Sequence, residues 1–172
     1  MNKKKLKYRV TYLEMNRKPS FDWPKILKHK LSILLAESFP AWYFLFFYKQ
    51  VGKNYYWTDW LRKSDDEIDE FVNDKNVLLY TFIKDGCPVG FYMLDYRKKN
   101  ICDLSFFGLV EEVIGIGLGK YLLQTAILTA WDSRKIEKLT VNTCSLDHKS
   151  AIYLYQKYGF TPIKYKDLEK TV

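Results

Sequence analysis

The hydrophobic pattern changes period several times along this chain, and each change marks an element. Residues 8–13 are short, aromatic and β-branched, and they predict a first strand. Pro24 can open a helix, and Ile26, Leu27, Leu31, Leu34 and Leu35 then recur at helical spacing, so the pattern predicts a helix over 25–36. Pro40 restarts the chain. Residues 41–48 are nearly all aromatic or aliphatic and read as a second helical segment that ends at Gly52. A Trp/Tyr-rich connection follows over 54–60. Ser64 with Glu67 then fits a capping box, which opens a short helix over 65–73 with Ile68, Phe71 and Val72 on one face.

From there the period shortens. Residues 77–83 and 89–97 read as strands joined through Asp85-Gly86, a hairpin signal, and 101–110 as a third strand. Glycines at 115, 117 and 119 open a helix that runs to about 131. Residues 137–143 form a strand of the buried type. Asp147 is placed to cap a helix to 158, Gly159 to end it, and 160–166 to form the last strand. The order is β, helices, βββ, α, β, α, β. That predicts an α/β (α+β) fold, a mixed sheet flanked by helices. With 172 residues and 20.6 kDa, the chain fits one domain over 1–172, with an N-terminal part at 1–76 and a core at 77–166.

Composition removes several classes of function. The cysteines Cys87, Cys102 and Cys144 share no metal spacing and make no disulfide framework, which points to a reducing compartment. The apolar region 31–48 is broken by Glu37 and Pro40 and does not read as a membrane span. The basic start, Lys3 to Arg9, has no apolar run behind it and is not a secretory signal, so cytoplasmic residence is expected. The net charge of +8 invites a nucleic-acid reading. Outside the first nine residues, however, the cations are scattered, with no basic helix face and no finger or zipper spacing. The charge suits a solvated surface or an anionic small ligand better.

The stretch Leu109-Val-Glu-Glu-Val-Ile-Gly-Ile-Gly-Leu-Gly-Lys-Tyr-Leu-Leu123 carries the chemistry. A strand ends, glycines turn, and a helix begins. The first N–H groups of a helix lack internal partners and sit at its positive end, and glycines let a phosphate approach them. No Gly-Lys-Ser/Thr follows, and the spacing is not Gly-x-Gly-x-x-Gly, so neither a triphosphatase loop nor a dinucleotide fingerprint is present.

A second stretch, 141–160, resembles the C-terminal signature of the GNAT acetyltransferase superfamily. There a strand leads to Asn-x-x-Ala, then Leu-Tyr, then Gly-Phe. Ala151, Leu154, Tyr155, Gly159 and Phe160 match, and His148 stands in the Asn slot. The glycine turn resembles the coenzyme loop of that superfamily, Gln/Arg-x-x-Gly-x-Gly/Ala. Gly117 and Gly119 match, Ile114 fills the Gln/Arg slot, and Ile116 stands where a basic residue is common. Thr11-Tyr-Leu-Glu-Met15 and Val51-Gly-x-x-Tyr-Tyr-Trp57 are similar to a bacterial-type subgroup with an aromatic-rich N-terminal extension.

The resemblance implies a mostly antiparallel central sheet and an N-acetyltransferase that uses acetyl-CoA, releases coenzyme A and acetylates an amine in a ternary complex. It places Leu109 and Val110 against the pantetheine arm and the backbone of Ile114, Gly115, Ile116, Gly117, Leu118 and Gly119 around the pyrophosphate. Lys120 would add a cation and His148 a donor. Tyr155 falls in the general-acid slot, although Ala151, Leu154, Tyr155 and Tyr158 also make a helical packing stripe. By period-two alternation Asp103 shares a face with Ser105, Phe107 and Leu109, which makes it the candidate base, with Glu111 and Glu112 as rivals. A covalent route through Cys144 lacks a His/Asp partner spacing. Tyr43, Phe47 and Trp57 are candidates for an acceptor pocket, and packing of the helices onto the sheet or a homodimer contact is the plainer account of the same aromatics. The acceptor is a small-molecule or peptide amine, with no membrane partner. Two rivals remain: a catalytically degenerate acyl-CoA-binding module, and a basic nucleic-acid-binding domain.

Overall fold

Asp85 and Gly86 both adopt positive φ, 51° and 85°. A two-residue turn needs this to match the twist of the strands it joins. The turn links β3 (Val77–Lys84) to β4 (Cys87–Asp95), which runs antiparallel into β5 (Ile101–Leu109). The computed structural model describes residues 5–25 and 30–171. It extends this meander with β1 (Lys5–Met15), β2 (Leu31–Ala36), β6 (Lys138–Cys144) and β7 (Thr161–Thr171). The seven strands form one sheet in the order β2-β3-β4-β5-β6-β1-β7. Every neighbouring pair is antiparallel except β5 with β6. A parallel pair needs a crossover, and α3 (Leu118–Ser133) supplies it.

Helices cover both faces. On one, α1 (Ala41–Gly52) and α2 (Asp65–Val72) bury Phe44, Phe47, Ile68 and Phe71 against Leu79, Phe91 and Met93. On the other, α3 and α4 (Ala151–Lys157) bury Leu118, Leu122, Ala126 and Tyr155 against Leu13, Leu94, Leu104 and Leu139. Full burial of each Leu, Ile, Phe or Met among these contributes about 1.5–3 kcal/mol. The capping box of α2 is formed: Glu67 N–H donates to Ser64 Oγ at 3.3 Å, and Ser64 N–H donates to Glu67 Oε2 at 3.1 Å.

Three expectations are corrected. The helix over 25–36 does not form as written. Ile26 and Leu27 lie outside the described residues, and Leu31–Ala36 is the strand β2, paired with β3 from Leu31↔Lys84 to Ala36↔Leu79. Pairing with the otherwise open edge of β3 overrides the helical spacing of these leucines. Asp147 does not cap α4. Ser150 holds that position, without a side-chain cap, and Asp147 is used elsewhere.

The third correction concerns β5. Its register against β4 slips between Met93↔Phe106 and Leu94↔Leu104, which leaves Ser105 unpaired as a bulge. One extra residue inverts the alternation beyond it. Cys102, Leu104, Phe107 and Leu109 therefore face α3 and α4, whereas Phe106 packs on the α1–α2 side and Gly108 lies under Val51. Asp103 does not share a face with Phe107 and Leu109.

Candidate active site

The parallel strands β5 and β6 pair only over Ile101–Asp103 with Lys138–Thr140. The bulge then bends β5 away, while β6 stays on β1 as far as Cys144. Between the parted strands lies a cleft of about 400 Å³. Leu104 to Leu109 form one wall, Asn142, Thr143, Asp147 and His148 the other, and Ala151, Leu154 and Tyr155 of α4 a third.

Backbone geometry equips this cleft. Val110 N–H donates to Val89 O at 2.9 Å, so Val110 is committed to β4. Hydrogen-bonding direction alternates along an antiparallel strand, which turns the N–H and C=O of Leu109 and Phe107 toward the gap. Leu109 thus keeps its expected place beside the cleft. Val110 does not line the cleft, whereas Phe107 does.

The turn at the mouth is built by Gly115 and Gly117, with φ of 92° and 90°. An added Cβ would meet no atom within 4 Å at either residue, so left-handed backbone rather than crowding calls for glycine there. Gly117 is the N-cap of α3 and supplies no side-chain cap. The first-turn N–H groups of Leu118, Gly119 and Lys120 therefore point out at the positive end of a 16-residue helix. The Leu118 side chain is fully buried and only its backbone is available. Ile114, Gly115, Gly117, Gly119 and Lys120 line the cleft. Ile116, 51% exposed, points away from it. These free donors and the open strand edge fit a phosphate-bearing coenzyme.

Tyr155 is 5% exposed and lines the cleft, with its ring edge-on to Phe107 and Phe160. Burial pushes its phenol well above the usual 10, and the charges of Asp147 and Asp103 push the same way. The hydroxyl therefore stays protonated at neutral pH. Asp103 sits on the opposite sheet face, in a hollow with Asp95, Arg97, Thr140 and Asn142. It reaches the cleft through Ser105, whose Oγ donates to Asp103 Oδ2 at 2.9 Å, and Asn142 lines both hollows.

The aromatic candidates divide. Trp57 lines the cleft, and its Nε1–H donates to Asp147 Oδ1 at 3.0 Å. Phe47 is fully buried and stacks on Phe91, while Tyr43 bonds Thr81 at 2.7 Å, so neither reaches the cleft. Their period on α1 fits core and cleft equally, and only the tertiary packing separates the two. Sequence reasoning missed Ser105, Asn142, Thr143 and the hub role of Asp147. A carboxylate just before a helix carries the same signature whether it caps that helix or not.

The structure is that of an α/β protein with a mixed sheet, whose one parallel pair among the described residues parts beside a glycine-turned helix N-terminus. The sequence profile of the acetyltransferase (GNAT) family matches residues 36–160, and this chain belongs to that family. No curated protein matches the chain. Among solved structures, a GCN5-related N-acetyltransferase from Kribbella flavida superposes with a TM-score of 0.63 at 14% identity, over 95% of this chain and 57% of that one. An acetyltransferase described as putative, from Novosphingobium aromaticivorans, gives 0.63 at 16%, over 97% and 66%. A GNAT family acetyltransferase from Elizabethkingia anophelis, solved with acetyl-CoA bound, gives 0.55 at 21%, over 78% of each chain. This chain spans under two thirds of the length of the first two. At these identities the likeness is one of fold.

Proposed function

We propose that this protein is an N-acetyltransferase that moves an acetyl group from acetyl-CoA to a primary amine, by direct attack while both are bound. The observation that carries the reading is the parted β5–β6 pair, open beside the free N-terminus of α3 with the Tyr155 phenol in the same cleft. The first-turn N–H groups of Leu118, Gly119 and Lys120, with the turn Ile114 to Gly117, would hold the pyrophosphate. Phe107 and Leu109 would pair with the amides of the pantetheine arm. Bound there, the thioester supplies an activated acetyl group. Tyr155 holds a proton on its Oη and gives it, or a hydrogen bond, to the departing sulfur. Asp103 relays the proton of the amine through Ser105. The free thiols at Cys87, Cys102 and Cys144 suit a reducing, cytoplasmic setting.

Thermal unfolding with acetyl-CoA, CoA and ATP tests the coenzyme site. A ligand at about 100 times its dissociation constant adds about 2.7 kcal/mol, which raises the melting temperature by several degrees. Acetyl-CoA and CoA should do so and ATP should not. Thiol release on adding amines then tests transfer. Coenzyme binding without transfer to any amine would favour the second reading, a degenerate acyl-CoA-binding module. That reading is motivated by Ile114, Ile116 and His148 in place of the family's polar residues.

A further inference from the structure

The connection 53–59 crosses the gap between the parted strands and is tied down on both sides. On the β5 side, Asn54 Nδ2 donates to Glu111 Oε2 at 2.6 Å, and Lys53 Nζ lies 3.7 Å from Glu112. On the β6 side, the Tyr55 ring stands edge-on to His148, and the Trp57 indole donates to Asp147. Lys170 Nζ holds the middle through Tyr56 O at 2.8 Å and Asp59 Oδ2 at 2.9 Å. Trp57 folds back on the end of α1, where a Cβ on Gly52 would come within 2.2 Å of Trp57 Cβ.

Asp147 anchors this strap in an unusual electrostatic position. Its carboxylate accepts from Trp57 Nε1 at 3.0 Å, from Thr143 Oγ1 at 2.8 Å and from Cys144 N–H at 2.8 Å. All three donors are neutral. Among the described residues no cation pairs with it, whereas Lys138 offsets Glu14 and Arg97 offsets Asp95. Around it the cleft is lined by Val51, Tyr55, Trp57 and Phe106. Burial raises the phenols of Tyr55 and Tyr155, and nearby carboxylates add to it: Glu111 and then Asp147 at Tyr55, Asp147 and then Asp103 at Tyr155. A half-buried carboxylate with only neutral donors, in a largely apolar hollow, favours a cation over water-poor isolation.

We infer that Asp147 is the ammonium subsite for the acceptor, and that an incoming amine takes Asp147 Oδ1 from the Trp57 indole and so releases the strap from the gap. The inference rests on the amine-acetylating reading and deepens it by naming what the acceptor presents. A primary amine is cationic at pH 7. The Trp57–Asp147 bond has a charge on the acceptor alone, whereas an ammonium adds the attraction of opposite charges in a poorly solvated hollow, which lets the amine displace the indole. On entry the amine passes Tyr55 and Trp57, aromatic rings lining the cleft that favour an ammonium over a neutral isostere of the same shape. The strap selects for charge at entry.

The test uses benzylamine and benzyl alcohol as probes, titrated calorimetrically into the full chain with and without CoA. Wild type should bind benzylamine and not the alcohol. Asp147→Asn should weaken benzylamine binding by about tenfold or more and leave CoA affinity within about twofold. Trp57→Phe removes the competing donor and should bind benzylamine at least as tightly as wild type. Unchanged binding in D147N, weakening in W57F equal to that in D147N, or no benzylamine binding by wild type would each overturn the inference. Should D147N fail to fold, wild type carries the test. Benzylamine must then alter the fluorescence difference between wild type and W57F, and benzyl alcohol must not. Failure of CoA to bind would count against the acetyltransferase reading, while the CoA-free titration still decides the ammonium subsite.

Discussion

Asp103 Oδ2 accepts a 2.9 Å hydrogen bond from Ser105 Oγ, and this pair links two faces of the sheet. The carboxylate lies in the hollow beside Thr140, and the hydroxyl sits on the bulge that lines the cleft. A relay of this kind needs both groups. Asp103→Asn is expected to lower turnover by about a hundredfold, with Ser105→Ala showing a similar loss and CoA affinity unchanged in both. Steady-state kinetics with CoA titrations check this, and wild-type turnover in either variant would remove the relay.

Tyr155→Phe keeps the ring against Phe107 and Phe160 and removes only the hydroxyl. Turnover should fall about a hundredfold with coenzyme binding intact. Burial raises the phenol, so its protonated form persists as the pH climbs through the usual 10. The wild-type pH–rate profile should therefore show no alkaline loss at pH 9–10 that the Phe variant lacks.

Gly117 holds φ 90° at the N-cap of α3. An alanine there meets no neighbour but must adopt left-handed backbone, at a cost of about 1–2 kcal/mol. Gly117→Ala should lower the urea midpoint accordingly and weaken CoA binding, because relief of the strain re-aims the N–H groups. CoA affinity equal to wild type would show that the turn does not hold the pyrophosphate.

Phe47 is core rather than pocket. Phe47→Ala should cost about 3–5 kcal/mol of stability, read from urea unfolding. Well below its melting temperature, the variant should keep the wild-type KM for any amine acceptor. A selective rise in that KM would return Phe47 to the acceptor side.

Glu67 is held at about 2, first by Lys63, whose Nζ lies 2.7 Å away, and then by Ser64. Its pKa is depressed on folding. The associated stability is thus present above the unfolded value near 4.5 and is lost as the pH falls through about 2. Urea midpoints between pH 5 and 2 should drop in wild type, and Glu67→Gln should show a shallower drop. Equal slopes would mean that the capping box does not titrate with folding.

Local chemistry determines much of this protein independently of how the elements pack. The Asp85-Gly86 turn, the Ser64/Glu67 box and the glycines opening α3 each depend on φ preferences or on hydrogen bonds within a few residues, so their spacing was readable. The family resemblance in 141–160 was readable for the same reason, since its residues lie on one strand, loop and helix. Tertiary structure alone decided the rest. Leu31–Ala36 carries a helical period yet completes the edge of β3, because unpaired strand donors and acceptors gain more from a partner than these leucines gain from helix propensity. The Ser105 bulge inverts the faces of β5, and no spacing within β5 announces it, since it exists only relative to the register of β4. Trp57 and Asp147 meet across 90 positions of chain. That contact follows from where α1 and β6 end on the sheet, a relation the linear sequence does not contain.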